Sequence, residues 1–407
     1  MMSKAGGAVS DPPDISRGRR IMIVAGEASG DIYGADLVQK ALAVDSGVHF
    51  FGIGGSRMRE AGVTTLVDSA DIAVMGLIEI FKHFGVISAA FLKLKKLLQE
   101  EPPELLILID YPGFNLRLAK VAKKAEVKVL YYISPKVWAW KAGRIRKIAA
   151  TVNRMAVIFP FEVPLYEKEG VPVTFVGHPM LDLVNVAMNR EEAAASFGLD
   201  PSIKTVGLFP GSRRSEIERI LPAILTAAEL LQTRFPDLQF VLPLASTLSE
   251  EKIRPCLNSS GIRPIITTGR IHDLIRGCDA IISVSGTVTL EIALVGTPMV
   301  IIYKLAPLTY QVARRVVKIR HIGLCNIVAD RSIVKELIQE QANPEAIAAE
   351  IETILVNKSY RATMTAGLAS VREKLGGGGA ALRTASLALD LINNKQNSDS
   401  NAAAKEP

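Results

Sequence analysis

Apolar residues fall into two kinds of run along this chain. Short, nearly unbroken stretches such as "RIMIVAG", "VHFFGIGG", "ELLILID" and "VKVLYYISP" read as strands buried on both faces. Longer stretches with apolar residues at helical spacing, such as "GADLVQKALAV" and "NLRLAKVAKKA", separate them. "MAVIFPF" and "VTFVGHP" complete the first half. The second half repeats the alternation, with "TVGLFPG", "LQFVLPLA", "RPIITTG", "DAIISVSG" and "TPMVIIY" as strands and "LPAILTAAELLQTRF", "IHDLIRG" and "TVTLEIALVG" as helices. Buried strands alternating with helices predict parallel sheets covered on both sides. The pattern therefore predicts an α/β chain of two doubly wound domains facing each other across a cleft.

The expected boundaries are a disordered tail over 1–20, a first domain over 21–180, a hinge over 181–200 and a second domain over 201–360. A helical segment over 361–393, free to pack back on the first domain, and a disordered tail over 394–407 complete the chain.

Ligands of open parallel sheets bind beyond the carboxyl ends of the strands. At one such end, Gly211, Ser212 and Arg213 turn directly into a helix. Glycine permits close backbone approach, the helix N-terminus offers free N–H groups, and Arg213 adds a charge-assisted donor: an anion site. The alternative is a surface arginine beside an ordinary cap. A second end places Ser285, Gly286 and Thr287 in a donor-rich turn, with Glu291 one helical turn later where a ribose diol would be accepted. Two phosphate-compatible turns and a ribose-compatible carboxylate point to a nucleoside diphosphate. The junction after the first strand, "GEASGD", carries Glu27 and Asp31 instead.

Composition narrows the partners. Lys plus Arg number 48 against 41 for Asp plus Glu, a net charge of +7, which suits anionic ligands or an anionic surface. Aromatics make up only 6%, too few to favour stacking platforms for single-stranded nucleic acid, and no nucleic-acid partner is expected. The three cysteines, Cys256, Cys278 and Cys325, form no CxxC pair, so neither a zinc site nor a disulfide framework is expected. Mean hydropathy is +0.25, yet no uncharged run approaches a membrane span, so any membrane contact is expected to be peripheral.

The stretches "VAGEASGD", "MGLIEI", "IDYPGFN", "YYISPKVWAWKAGRIRKI", "FPFE", "FVGHPM", "LFPGSR", "SGTVTLE" and "NIVADRSIVKELIQE" resemble, in order, the lipid-A-disaccharide synthase family. Cys325 departs from the family, which typically has proline there. The resemblance implies two Rossmann-like domains of GT-B type, acceptor and membrane side first, UDP-sugar side second. It implies inverting transfer of 2,3-diacylglucosamine from UDP to the 6-hydroxyl of 2,3-diacylglucosamine 1-phosphate, on the cytoplasmic face of the inner membrane of a Gram-negative-type bacterium. It places Gly211, Ser212, Arg213, Ser285, Gly286, Thr287, Glu291 and Asn326 in the nucleotide site. The base is Asp110 or Glu27, with Asp110 first because it ends an apolar strand and matches the family motif. The plainer reading of Asp110 is a loop cap. Ser29 and Asn115 fall on the acceptor side. No DxD or HExxH motif and no histidine cluster occurs, so the diphosphate is expected to be met by helix dipoles and Arg213, without a metal or cofactor. His178 is read as structural. A homodimer is left open.

Two stretches bear on lipid contact. "MGLIEIFKHFGVISAAFLKLKKLLQE" sets Phe81, Phe84 and Phe91 beside Lys82, Lys93, Lys95 and Lys96, either a membrane-surface helix or an ordinary amphipathic one. "SPKVWAWKAGRIRK" holds both tryptophans, Trp138 and Trp140, among basic residues that suit anionic lipid or the acceptor phosphate. The rival readings are a UDP-N-acetylglucosamine epimerase or a transferase with another acceptor, and a non-catalytic nucleotide-sugar or lipid binder. "GIGG" lacks the GxGxxG spacing of a dinucleotide oxidoreductase.

Overall fold

A computed structural model describes residues 19–72, 77–138, 143–245, 248–316 and 319–403. The first sheet contains β1 Arg19–Ala25, β2 Val48–Gly54, β3 Thr64–Asp68, β4 Leu105–Ile109, β5 Lys128–Tyr132, β6 Arg154–Val157 and β7 Val173–Phe175. Its order is β3-β2-β1-β4-β5-β6-β7, and every pairing is parallel. The second sheet contains β8 Thr205–Phe209, β9 Gln239–Pro243, β10 Ile265–Thr267, β11 Ala280–Val284, β12 Met299–Tyr303 and β13 Glu336–Ile338. Its order is β10-β9-β8-β11-β12-β13, again wholly parallel.

The unbroken apolar runs follow from this layering. Successive side chains of a strand point to opposite faces. In β1, Ile21, Ile23 and Ala25 enter one core and Met22 and Val24 the other. In β4, Leu105, Ile107 and Ile109 divide from Leu106 and Leu108 in the same way. Helices cover both faces, so neither set can be polar.

The expected hinge is partly ordered. It contains the short helices Met180–Leu183 and Arg190–Ser196, the second begun by a reciprocal cap in which Asn189 and Glu192 bond each other's backbone N–H. The chain then returns. The last helix, Ala380–Ala403, runs past residue 393 and packs on helix Ala28–Val44 and on β4 and β5. Lys128 donates to the Leu391 carbonyl at 2.8 Å, and Arg383 donates to the Val176 carbonyl at 2.8 Å. No helix among the described residues is long and apolar enough to cross a membrane.

Candidate active site

Each sheet has one point where neighbouring strands send their connections in opposite directions: β1 beside β4, and β8 beside β11. Such a switch point opens a crevice at the carboxyl ends. Gly26 and Glu27 follow β1, and Asp110 follows β4. The predicted loop after β4 shrinks to Asp110 and Tyr111, because helix Pro112–Lys124 starts at once. Both residues are left-handed, with φ of 42° and 44°, a conformation that costs non-glycine residues on the order of 1–3 kcal/mol each.

The surroundings hold this strained pair. The Asp110 N–H donates to the Tyr132 carbonyl at 3.1 Å. The Asp110 carbonyl accepts from Asn115 Nδ2 at 2.8 Å and from the Tyr131 hydroxyl at 2.5 Å. Asn115, fully buried inside the helix, also donates to the Ile109 carbonyl at 3.1 Å. The Tyr111 ring covers Gly26, where any Cβ would collide with it, and its hydroxyl donates to the Ile72 carbonyl at 2.8 Å. The Asp110 carboxyl is thereby pressed into the crevice beside Glu27. Burial first, then the Glu27 charge, push it up to about 6, against the opposing pull of Lys136 and the Tyr111 N–H.

At the second switch point lies a cavity of about 500 Å³. Gly211, Ser212 and Arg213 line it from the end of β8, and Ser285, Gly286, Thr287 and Glu291 from the end of β11. Gly211 has φ of 105°, which a side chain would strain. Glu216, Gly269 and Ile271 are among the further lining residues and were not singled out from sequence. Arg213 donates to Glu216 Oε1 at 2.8 Å, so the guanidinium is already oriented by the third residue of the helix it caps. The Arg-x-x-Glu spacing permits this contact but does not by itself select the rotamer that makes it. Glu291 is not a solvated helix residue: it meets His272 Nε2 at 3.2 Å, and both side chains are more than four-fifths covered.

Tyr33, on helix Ala28–Val44, is buried in the core. Burial first, then the charges of Glu291 and Asp110, push its phenol up to about 12. It has no sequence motif of its own.

A family model described as lipid-A-disaccharide synthetase matches residues 21–386. The chain belongs to the lipid-A-disaccharide synthetase family. A relative from Trichlorobacter lovleyi, lipid-A-disaccharide synthase, is 65% identical over 378 residues, covering 93% of this chain and 99% of that one. Among solved structures, a UDP-GlcNAc 2-epimerase from Neisseria meningitidis bound to UDP-GlcNAc superposes with a TM-score of 0.59 at 11% identity, covering 92% of this chain and 100% of that one. The glycotransferase of kitacinnamycin gives 0.61 at 15%, covering 92% and 100%. These two likenesses concern the fold, which is the GT-B type expected from the motifs. Family membership decides against the epimerase reading, and the enzyme is a glycosyltransferase.

The other residues singled out from this synthetase sequence are distributed unevenly. Ser29 is exposed at the first turn after Glu27. Asn326 is fully buried and is not among the residues lining the cavity. Its Nδ2 donates to the Val334 carbonyl and to Glu336, and its Oδ1 accepts from the Ile333 and Val334 N–H groups. With its amide spent on the protein, it braces a turn. Phe91 is partly buried and packs edge-on against Phe114 at 5.6 Å. Phe84 is 61% exposed on helix Leu77–Glu100. The side chain of Phe81 and all of Trp140 lie outside the described residues. Trp138 packs edge-on against Phe161 at 5.5 Å, and its Nε1 donates to buried Glu162 at 3.2 Å. Burial drives the Glu162 carboxyl up to about 8. His178 is buried, accepts from the Met180 N–H at 3.1 Å, and is pushed down to about 3 by burial. Among the described residues no three His, Cys, Asp or Glu side chains converge to hold a metal ion.

Proposed function

We propose that this synthetase moves 2,3-diacylglucosamine from UDP to the 6-hydroxyl of 2,3-diacylglucosamine 1-phosphate. The products are the β-1',6-linked disaccharide 1-phosphate and UDP, with inversion at the anomeric carbon. The observation that carries this reading is the pairing of two crevices in a chain of this family. One is a donor-rich cavity at the β8/β11 switch point, the other a largely buried carboxyl raised to about 6 at the β1/β4 switch point.

The acceptor 6-oxygen attacks the anomeric carbon as Asp110 takes its proton, and the bond from that carbon to the diphosphate oxygen breaks. A carboxyl pushed up to about 6 is a stronger base than an ordinary aspartate and is still ionised near neutrality. Glu27 supplies the neighbouring charge that helps raise it and orients the acceptor. Asn115 and Tyr131 hold the Asp110 backbone and act by positioning. The departing diphosphate gains charge as the bond breaks. The backbone donors at Gly211–Arg213 and Ser285–Thr287, with the Arg213 guanidinium, stabilise it. Glu291 accepts from the ribose hydroxyls.

The lipid substrates are drawn from an anionic membrane surface, with exposed Phe84, Lys93 and Lys96 of helix Leu77–Glu100 as the contact. This makes the enzyme peripheral to the cytoplasmic face of the inner membrane. The test is a detergent-micelle assay with both diacylated substrates, with and without EDTA, following UDP and lipid disaccharide together. Acceptor-dependent formation of both is expected. UDP binding with no disaccharide under any metal condition would reduce the protein to a binder.

A further inference from the structure

A second cavity of about 500 Å³ lies between the domains. Trp138 and Phe161 wall it from the first domain, Arg320, His321 and Asp330 from the second, and Lys374 from helix Lys358–Lys374, which packs on the second domain. None of the four polar side chains has a part in the transfer chemistry described above. Among the described residues, neither Arg320 nor His321 is held in an ion pair. Lys374 spends one donor on the Ala329 carbonyl at 2.9 Å and keeps two. Two permanent cations against one carboxylate leave the cavity positive.

Its position ties it to both crevices. His321 precedes Ile322, whose carbonyl accepts from Ser285 Oγ at 3.1 Å, so this wall is anchored to the turn of the nucleotide cavity. Trp138 lies two residues after Lys136, whose charge acts on Asp110. Trp138 is itself fixed by Phe161 and by Glu162, so its ring is a rigid wall.

Resting on the transferase reading, we propose that this interdomain cavity binds the phosphate monoester of the acceptor. Arg320 and Lys374 hold its oxygens, and the Trp138–Phe161 face packs against the apolar side of the glycolipid. An arginine fork matches phosphate oxygens two at a time, and an ammonium adds a point charge. Because the cations and the aromatic wall come from different domains, a phosphorylated acceptor also draws the domains together over the reacting atoms.

The test compares short-chain 2,3-diacylglucosamine 1-phosphate with its dephosphorylated counterpart, for wild type, Arg320→Ala and Lys374→Ala. Two readouts are taken: kcat/KM for disaccharide formation, and equilibrium binding of each ligand to the UDP-bound enzyme. The wild type is expected to prefer the phosphorylated ligand by roughly ten- to a hundredfold, and each variant to lose about tenfold of that preference. UDP affinity serves as the control for folding. Unchanged preference in both variants, or no preference in the wild type, overturns the proposal. Equal displacement of the ligand by micelles doped with phosphatidylglycerol overturns it in favour of a general headgroup site. If the phosphorylated ligand binds and the variants lose it, but no disaccharide forms, the phosphate site stands and the transfer reading falls.

Discussion

Asp110, the base in the proposed reaction, meets two requirements that oppose each other. A base in a cleft gains proton affinity by burial and by a like charge nearby, and both make its ionised form costly. With the carboxyl at about 6, kcat/KM should fall about tenfold per pH unit below that value, because only the carboxylate accepts a proton. Glu27→Gln removes the neighbouring charge and should move this acid limb to lower pH, measured as the midpoint of the kcat/KM profile. The shift is partial, since burial is the larger cause. Asp110→Asn should lower kcat by about 10²- to 10⁴-fold with UDP affinity retained. Near-normal turnover would remove Asp110 as the base. The stability effect has the opposite sign. A carboxyl raised in the folded state contributes stability that is present below its unfolded value and lost as pH rises through about 6. At pH 8 Asp110→Asn should therefore raise Tm, by up to about 3 kcal/mol of stability, while leaving it little changed at pH 4.

The junctions between strand and helix do at the scale of elements what Asp110 does as a residue. The β4 junction has no loop to relax into: two left-handed residues turn the chain, and Asn115 and Tyr131 tie them from below. Gly26 is the complementary half, because the β1 junction must leave room for the Tyr111 ring. Gly26→Ala should displace that ring, destabilise the protein by about 1–3 kcal/mol and lower kcat more than it changes UDP affinity, read by thermal melts and steady-state kinetics. Retained kcat would mean that the Tyr111 contact does not position Asp110. Sequence made the strand and its terminal aspartate legible through the run "LLILID". It did not show the two-residue turn, since Pro112 and Gly113 read as loop when the first helical turn carries no apolar periodicity. The same limit applies to Arg213, whose engagement by Glu216 depends on a rotamer rather than on the spacing of charges.

Across the whole molecule, the last helix makes the first domain depend on the end of the chain. Ala385, Ala388, Leu389 and Ile392 are buried with one face of the first sheet. Truncation after Gly379 exposes that face, and Leu389 and Ile392 alone represent about 3–6 kcal/mol of burial. The truncated enzyme should melt at lower temperature or aggregate, by calorimetry and light scattering, whereas an unaltered melt would make the helix a passive appendage. The sequence had left this return of the segment over 361–393 as an option, because an amphipathic helix shows that it needs a partner without showing which one. The alternation of apolar runs and helices by itself determined two parallel sheets, since only strands covered on both sides are apolar at every position. Glycine and small polar residues at strand ends likewise marked the turns that line the cavity at the β8/β11 switch point, because those positions are chemistry of the local backbone. Tertiary structure alone decided that Asn326 bonds Val334 and Glu336 and that Tyr33 is buried where the charges of both Glu291 and Asp110 reach it. It alone put Arg320 and Lys374 opposite Trp138. Each is a relation between segments distant in the chain, and no local periodicity carries the distance between them.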